Sequence, residues 1–217
     1  SFTGEKIHSY AYISTGNFNE KTATLYADCG LFTSNPVIVH DLTNLFRTLR
    51  GKENPRFTRL LVARFNLIPE LNRLIDRLYE ASQKGVKIDL IVRGICCLIP
   101  GQEYSCNIRV TRIVDSFLEH ARIWYFGNAG HPKVYMGSPD WMRRNLYRRI
   151  EAVVPILDHE LREEIVDMLH IQLSDNQKAC FVDDKLNNIF KFKTNAAPVR
   201  AQYTFYNYLK EKNETFL

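Results

Sequence analysis

Apolar residues recur along this chain at two periods, and each change of period marks an element. Val37, Val39, Leu42, Leu45, Phe46 and Leu49 stand at near-helical spacing within residues 36–50, with Pro36 suited to a first turn and Gly51 to a C-terminal cap. A second helical face, Leu71, Leu74, Ile75, Leu78 and Tyr79, ends at Gly85. The near-continuous apolar run from Val86 to Val92 follows at once, as in a buried parallel strand. RVTRIV from Arg109 and ARIWYF from Ala121 read as further strands, and Leu161, Ile165, Met168 and Leu169 as one side of another helix. Tyr203, Tyr206 and Leu209 recur at helical spacing near the end of the chain and are expected to pack against the core. The alternation predicts a mixed α/β fold, with the charged GKENPR stretch from Gly51 as the best boundary within it.

Composition narrows the class. At 217 residues, 45% hydrophobic and 12% aromatic, the chain suits one domain or one plus part of another, and is globular rather than disordered. No run approaches the about 18 apolar residues of a membrane span, because Arg93 interrupts the longest. The N-terminus does not read as a signal peptide. Cys29, Cys96, Cys97, Cys106 and Cys180 form no CxxC pair, and an odd number without a framework points to the reducing cytoplasm. No Cys/His/Asp spacing resembles a zinc site. The net charge of +5 is modest, but Arg143, Arg144, Arg148 and Arg149 cluster, and beside a turn such a cluster favours polyanion binding over a merely solvated face.

The candidate chemistry gathers between Ile113 and Pro155. His120 and Arg122 have the i, i+2 spacing that puts both side chains on one face of a strand. Gly137-Ser138-Pro139-Asp140 then supplies small residues and a helix cap, where backbone N–H groups suit a phosphate. The same pattern occurs a second time. ISTGNFNEKTATLYADCGL from Ile13 lies over MGSPDWMRRNLYRRIEAVV from Met136 without a gap, placing Asn17 on Asp140, Phe18 on Trp141, Tyr26 on Arg149 and Asp28 on Glu151. The repeat predicts a pseudo-twofold site built from two related halves. Arg93 stands at the carboxyl end of its strand, where open α/β sheets gather ligands, and reads as an anion contact. His40, His131, His159 and His170 lack such surroundings and are expected at the surface or as caps.

STGNFNEKTA, LYEASQKGVKIDLIVRGICCLIPG, NIRVTRIVDSFLEHARI, VYMGSPDWMRRN and VRAQYTFYNYL closely resemble the C-terminal half of bacterial polyphosphate kinases, over nearly the whole chain. The resemblance implies a phospholipase D-like mixed sheet flanked by helices. Residues 1–55 would be the end of a first such domain and 56–217 a second, nearly complete one. It implies reversible transfer of the terminal phosphoryl group of ATP to inorganic polyphosphate through a phosphohistidine. His120 resembles the second histidine of the family site, Arg93 and Tyr26 its nucleotide-phosphate contacts, and Arg149 and Arg122 its stabilisers of transition-state charge. Glu151 would orient an arginine or histidine, and Asn17 would cap a helix and touch phosphate. Lys6-Ile7-His8 matches the tripeptide that carries the phosphorylated histidine. It lacks the following lysine and strand, so His8 is either that histidine or a coincidence.

Magnesium would arrive with ATP, its ligands lying outside this chain. ATP, ADP and polyphosphate are the implied partners, with a homo-oligomer for the full-length enzyme, no nucleic acid, and at most peripheral membrane association. Domains of the full enzyme are not visible here, so the piece alone is expected to turn over little. Near RLLVARFNLIPE the family carries a longer insert of strand and helix, so a contraction or an unrecorded disordered stretch is expected there. Two rivals stay open: a phospholipase D-like phosphodiesterase, disfavoured because Arg122 and Gly127 stand where that family wants lysine and aspartate, and a non-catalytic polyphosphate-binding module.

Overall fold

The computed structural model describes residues 9–16, 19–51, 56–69, 77–94, 96, 98–140, 148, 150–192 and 196–214. It is a mixed α/β structure whose contacts form two compact units, Ser1–Asn72 with Leu118–His159, and Arg73–Phe117 with Glu160–Leu217. These units interleave along the chain.

In the first unit, β1 (Ala11–Ser14) pairs antiparallel with β3 (Gly30–Thr33), and β2 (Tyr26–Ala27) lies between them in sequence after the short α1 (Glu20–Ala23). Helix α2 (Pro36–Leu49) begins where predicted. The Asn35 side-chain oxygen accepts the N–H groups of Val37 and Ile38 at 3.1 and 3.3 Å, and Pro36 occupies a position where its missing N–H is not needed. The inward stripe is Ile38, Asp41 and Leu45, whereas Phe46 and Leu49 of the apolar run are exposed. Asp41 belongs inside because its carboxylate accepts the N–H groups of Thr58, Arg59 and Leu60 at 2.7 to 3.1 Å. Those donors replace the water a buried carboxylate would otherwise lose.

The larger sheet of this unit has the order β4 (Leu61–Val62), β10 (Ala152–Pro155), β9 (Lys133–Gly137), β8 (Arg122–Phe126), antiparallel throughout. Val62, Val153 and Val154 are fully buried, and each such side chain contributes roughly 1.5–3 kcal/mol. Ala63, Leu67 and Val153 form a core on which Trp124 and Tyr135 pack. Gly137 ends β9 tightly: a Cβ there would sit 2.6 Å from the Ala152 carbonyl oxygen.

The second unit carries α3 (Leu78–Gln83), ended by Gly85 at φ +87°, and a sheet ordered β12 (Asn188–Phe190), β11 (Ala179–Val182), β6 (Ile108–Ile113), β5 (Ile88–Ile91). Strand β5 is parallel to β6, as its apolar run predicts, but lies at the sheet edge and is half-buried rather than enclosed. Leu71, Leu74 and Ile75 lie outside the described residues. Helix α4 (His159–Ser174) leads into Asp175, whose fully buried carboxylate accepts the N–H groups of Gln177, Lys178, Ala179 and Ala201 at 2.7 to 2.9 Å. The last of these is the first residue of α5 (Ala201–Glu214).

Tyr203 and Tyr206 do not pack inward as the spacing suggests; they are 48% and 64% exposed. The helix is held instead by polar contacts on α4, with Lys212 Nζ 2.5 Å from Glu164 and the Tyr208 hydroxyl 2.9 Å from Asp167. Tyr203 lies under the Arg200 guanidinium, 4.3 Å from its ring centre. Arg200 also grips the buried Asp115 with Nε and Nη2 at 2.9 and 2.5 Å.

That grip predicts a pH dependence. The hydrogen-bonded Arg200 guanidinium holds the Asp115 carboxyl below the usual carboxylate range. A group lowered on folding stabilises the fold above its unfolded pKa of about 3.9, and that stability is lost as pH falls through the folded value. Asp115→Asn is expected to flatten this part of the acid limb in thermal melts between pH 7 and 3, and an unchanged limb would count against the pair. Asp41→Ala strands three backbone donors and is expected to cost about 3 kcal/mol in urea titration. A loss under 1 kcal/mol would show that water replaces the carboxylate freely.

Candidate functional site

Two short parallel strands assemble the site of the first unit. Strand β2 pairs with β7 (Leu118–Glu119), and the His120 N–H continues the ladder to the Ala27 carbonyl at 3.3 Å. Tyr26 and His120 are thereby brought edge to face, with ring centres 5.5 Å apart and planes at 88°. His120 is half-buried. Its Nδ1 contacts the carbonyl oxygen of Thr15, which can only accept, so Nδ1 carries the hydrogen. In the neutral ring Nε2 then holds the lone pair. Thr15 is itself anchored and 2% exposed: its N–H donates to the Cys29 carbonyl at 2.9 Å, and its hydroxyl accepts the Cys29 N–H at 3.0 Å.

Arg122 opens β8 opposite Gly137. Its Nε and Nη2 reach the same oxygen of Asp140 at 3.0 and 2.5 Å, and Nη1 donates to the carbonyls of Glu119 and Ala121, both at 3.3 Å. Asp140, expected as a helix cap, therefore binds Arg122; residues 141–147, which it would cap, lie outside the described residues. Glu151 accepts the Ser138 hydroxyl at 2.6 Å, and its backbone carbonyl accepts the Ala63 N–H at 2.7 Å.

The internal repeat is visible in the strands. Ile13 faces Leu31 and Ser14 faces Gly30 across β1 and β3, just as Met136 faces Val154 and Gly137 faces Val153 across β9 and β10. The shift that carries Ile13 onto Met136 carries each partner onto its counterpart. Both copies are antiparallel hairpins ending in the turns that flank residues 119–122. The turn of the first copy holds the His120 ring through Thr15, and the turn of the second holds Arg122 through Asp140.

The structure thus brings together Tyr26, His120 and Arg122, and places Glu151 on the second turn through Ser138. Arg93 belongs to the other unit, where it is exposed two residues beyond β5. His8, Asn17 and Arg149 lie outside the described residues. Thr15 is what residue-type reasoning passes over, and Ser138 and Asp140, read as turn and cap, bond Glu151 and Arg122 instead; Thr15 and Ser138 occupy equivalent positions in the repeat, which is the signal for Thr15. A cleft of about 300 Å³ in the second unit, lined by Lys87, Asp89, Asn107 and Arg109, includes none of the expected residues. Lys87 is bonded to Asn107 at 2.5 Å and Arg109 to Asp89 at 2.7 Å, so its cations are already engaged. Among the described residues no group of three His, Cys, Asp or Glu is placed to hold a metal, and no helix is long and apolar enough to cross a membrane.

Comparison with known proteins agrees with the resemblance. The polyphosphate kinase of Synechocystis sp. is 45% identical over 206 residues, covering 81% of this chain and 28% of that protein. That of Vibrio parahaemolyticus is 38% identical over 237 residues, covering 95% and 34%. Since that alignment is longer than the 217-residue chain, the relative carries residues with no counterpart here. The crystal structure of polyphosphate kinase from Porphyromonas gingivalis superposes with a TM-score of 0.90 at 50% identity, over 99% of this chain and 38% of that one. The chain spans about a third of the length of these relatives. Residues 2–55 match the family described as polyphosphate kinase C-terminal domain 1 and residues 31–202, well over half the chain, that described as C-terminal domain 2, so the chain belongs to the polyphosphate kinase family.

Proposed function

We propose that this chain is the part of a polyphosphate kinase that handles the transferring phosphoryl group between ATP and inorganic polyphosphate. The observation that carries the reading is the His120 imidazole, pinned at Nδ1 by the Thr15 carbonyl so that Nε2 has one defined role. A neutral ring accepts a proton there, and a protonated ring donates to the oxygens of the moving group. Forward transfer forms a bond from a nucleophilic histidine to the γ-phosphorus as the bond to the bridging oxygen breaks and ADP leaves. The terminal oxygen of polyphosphate then takes the phosphoryl group and frees the imidazole. The family likeness assigns the nucleophile to the Lys6-Ile7-His8 stretch and gives His120 the assisting role. It assigns nucleotide-phosphate contact to Tyr26 and, in the second unit, to Arg93.

The phospholipase D-like architecture belongs to the same proposal, with 1–55 closing one such domain and 56–217 forming another. The two family matches, 2–55 and 31–202, name two successive C-terminal domains and overlap over residues 31–55. Magnesium would come with the nucleotide and neutralise its phosphates. Of the described carboxylates of this site, Asp140 is already held by the Arg122 guanidinium. We assign the intact enzyme to the cytoplasm as a homo-oligomer.

In the intact protein, His120→Ala is expected to lower ATP-dependent polyphosphate synthesis at least 10²-fold with an unchanged melting temperature. Activity within threefold of the parent would overturn the assignment. The 217 residues alone are expected to release ADP only at background with ATP, magnesium and polyphosphate; robust turnover would show that the rest of the relatives' length is dispensable.

A further inference from the structure

The geometry points to Arg122 and Asp140 as a positioning clamp for His120 rather than as contacts of the transferring phosphate. This inference rests on the proposed role of His120 and changes what its neighbours do. A guanidinium that receives a phosphate presents its Nε and Nη edge outward as a fork. Here that edge is turned onto Asp140, at 3.0 and 2.5 Å, and the remaining nitrogen, Nη1, bonds the carbonyls of Glu119 and Ala121. Those carbonyls belong to the residues on either side of His120. Arg122 therefore holds the backbone that carries the imidazole from both sides and ties it to the turn of the second repeat.

The ring itself is tied to the other repeat through Thr15. The pair is shielded, with side chains 21% and 31% exposed, so it competes little with water and an incoming anion would have to displace Asp140. Gly137 lets the turn close this tightly, since it stands opposite Arg122 in the ladder and a Cβ there would meet the Ala152 carbonyl. Glu, Asn or Gln at position 140 would change the length or charge of this side-chain link between the start of β8 and that turn.

The test uses the intact protein with Asp140→Asn, Arg122→Lys and the doubly substituted Asp140→Arg/Arg122→Asp, each alone and combined with His120→Ala. A positioning clamp lowers kcat by 10-fold or more in the single variants while KM for ATP and for polyphosphate moves less than threefold, and adds nothing once His120 is gone. Nitrogen-15 spectra of His120 should show the Nδ1–H form giving way to a mixture of tautomers in Asp140→Asn, and the reversed pair should recover part of kcat. A rise in KM for polyphosphate of 10-fold or more in Arg122→Lys, with kcat and the His120 spectrum unchanged, would overturn the clamp and make Arg122 a phosphate ligand. Should a single variant unfold, the spectrum and kcat of the reversed pair decide the same question, and failure to recover either counts against the clamp. If His120→Ala alone keeps activity, the reading of the site fails first, and the tautomer spectrum still reports whether Asp140 positions the ring.

Discussion

The contact from His120 Nδ1 to the carbonyl of Thr15 ties the first repeat to the segment that carries the imidazole, a group whose two nitrogens can exchange a proton. A backbone carbonyl can only accept, so it fixes the tautomer as well as the orientation. Its own position is fixed in turn by two bonds between Thr15 and Cys29: the Thr15 N–H to the Cys29 carbonyl continues the β1–β3 ladder, and the Cys29 N–H donates to the Thr15 hydroxyl. The imidazole is thus set by sheet geometry rather than by a side chain that could rotate away. Tyr26, arriving on the strand that pairs beside it, closes one face of the ring with an edge contact.

Both units are organised around a buried aspartate that no apolar pattern announces. Asp41 gathers the turn at residues 58–60 in the first unit, and Asp175 gathers residues 177–179 and the start of α5 in the second. Each sits where a hydrophobic side chain would be the usual choice, and each is tolerated because backbone N–H groups surround it. Such a residue is worth more to a loop than an apolar one. It satisfies several amides at once and holds the chain in one conformation, where an apolar group would leave those amides to water. In the second unit this matters most, since α5 buries only Ala201 fully and relies on its polar anchors.

Periodicity made α2, the β5–β6 pair and α5 legible, because helix and strand spacing follow from geometry alone. What it mistook was which side faces inward. The inward stripe of α2 runs through Asp41, and Tyr203 and Tyr206 of α5 turn to solvent; in both cases a network of polar bonds, invisible to a hydrophobicity pattern, outweighs apolar burial. The repeat was legible to the residue, since an ungapped overlay of two dissimilar stretches reproduced the register of both hairpins. His120 could be singled out in the sequence, but not its anchor, because a main-chain carbonyl carries no residue type. Spacing put Arg122 on one face with His120, and the family resemblance gave it a phosphate role; neither says that Asp140 reaches its guanidinium.

The repeat keeps its backbone while its chemistry diverges, and the divergence suits a site that must treat its two sides differently. At matching positions the halves carry Asn17 and Asp140, Tyr26 and Arg149, Asp28 and Glu151. Two identical halves would face a phosphoryl group with the same charge on either side, which suits a symmetric diester. In the proposed transfer, a group passing between a nucleotide and a long polyanion would meet unlike leaving and accepting ends. On this view the neutral Tyr26 and the exposed Asp28 mark one half, while the second spends its carboxylates internally, Asp140 on Arg122 and Glu151 on Ser138. Only the Asp140 charge is balanced by a cation, while Glu151 is held by a neutral hydroxyl.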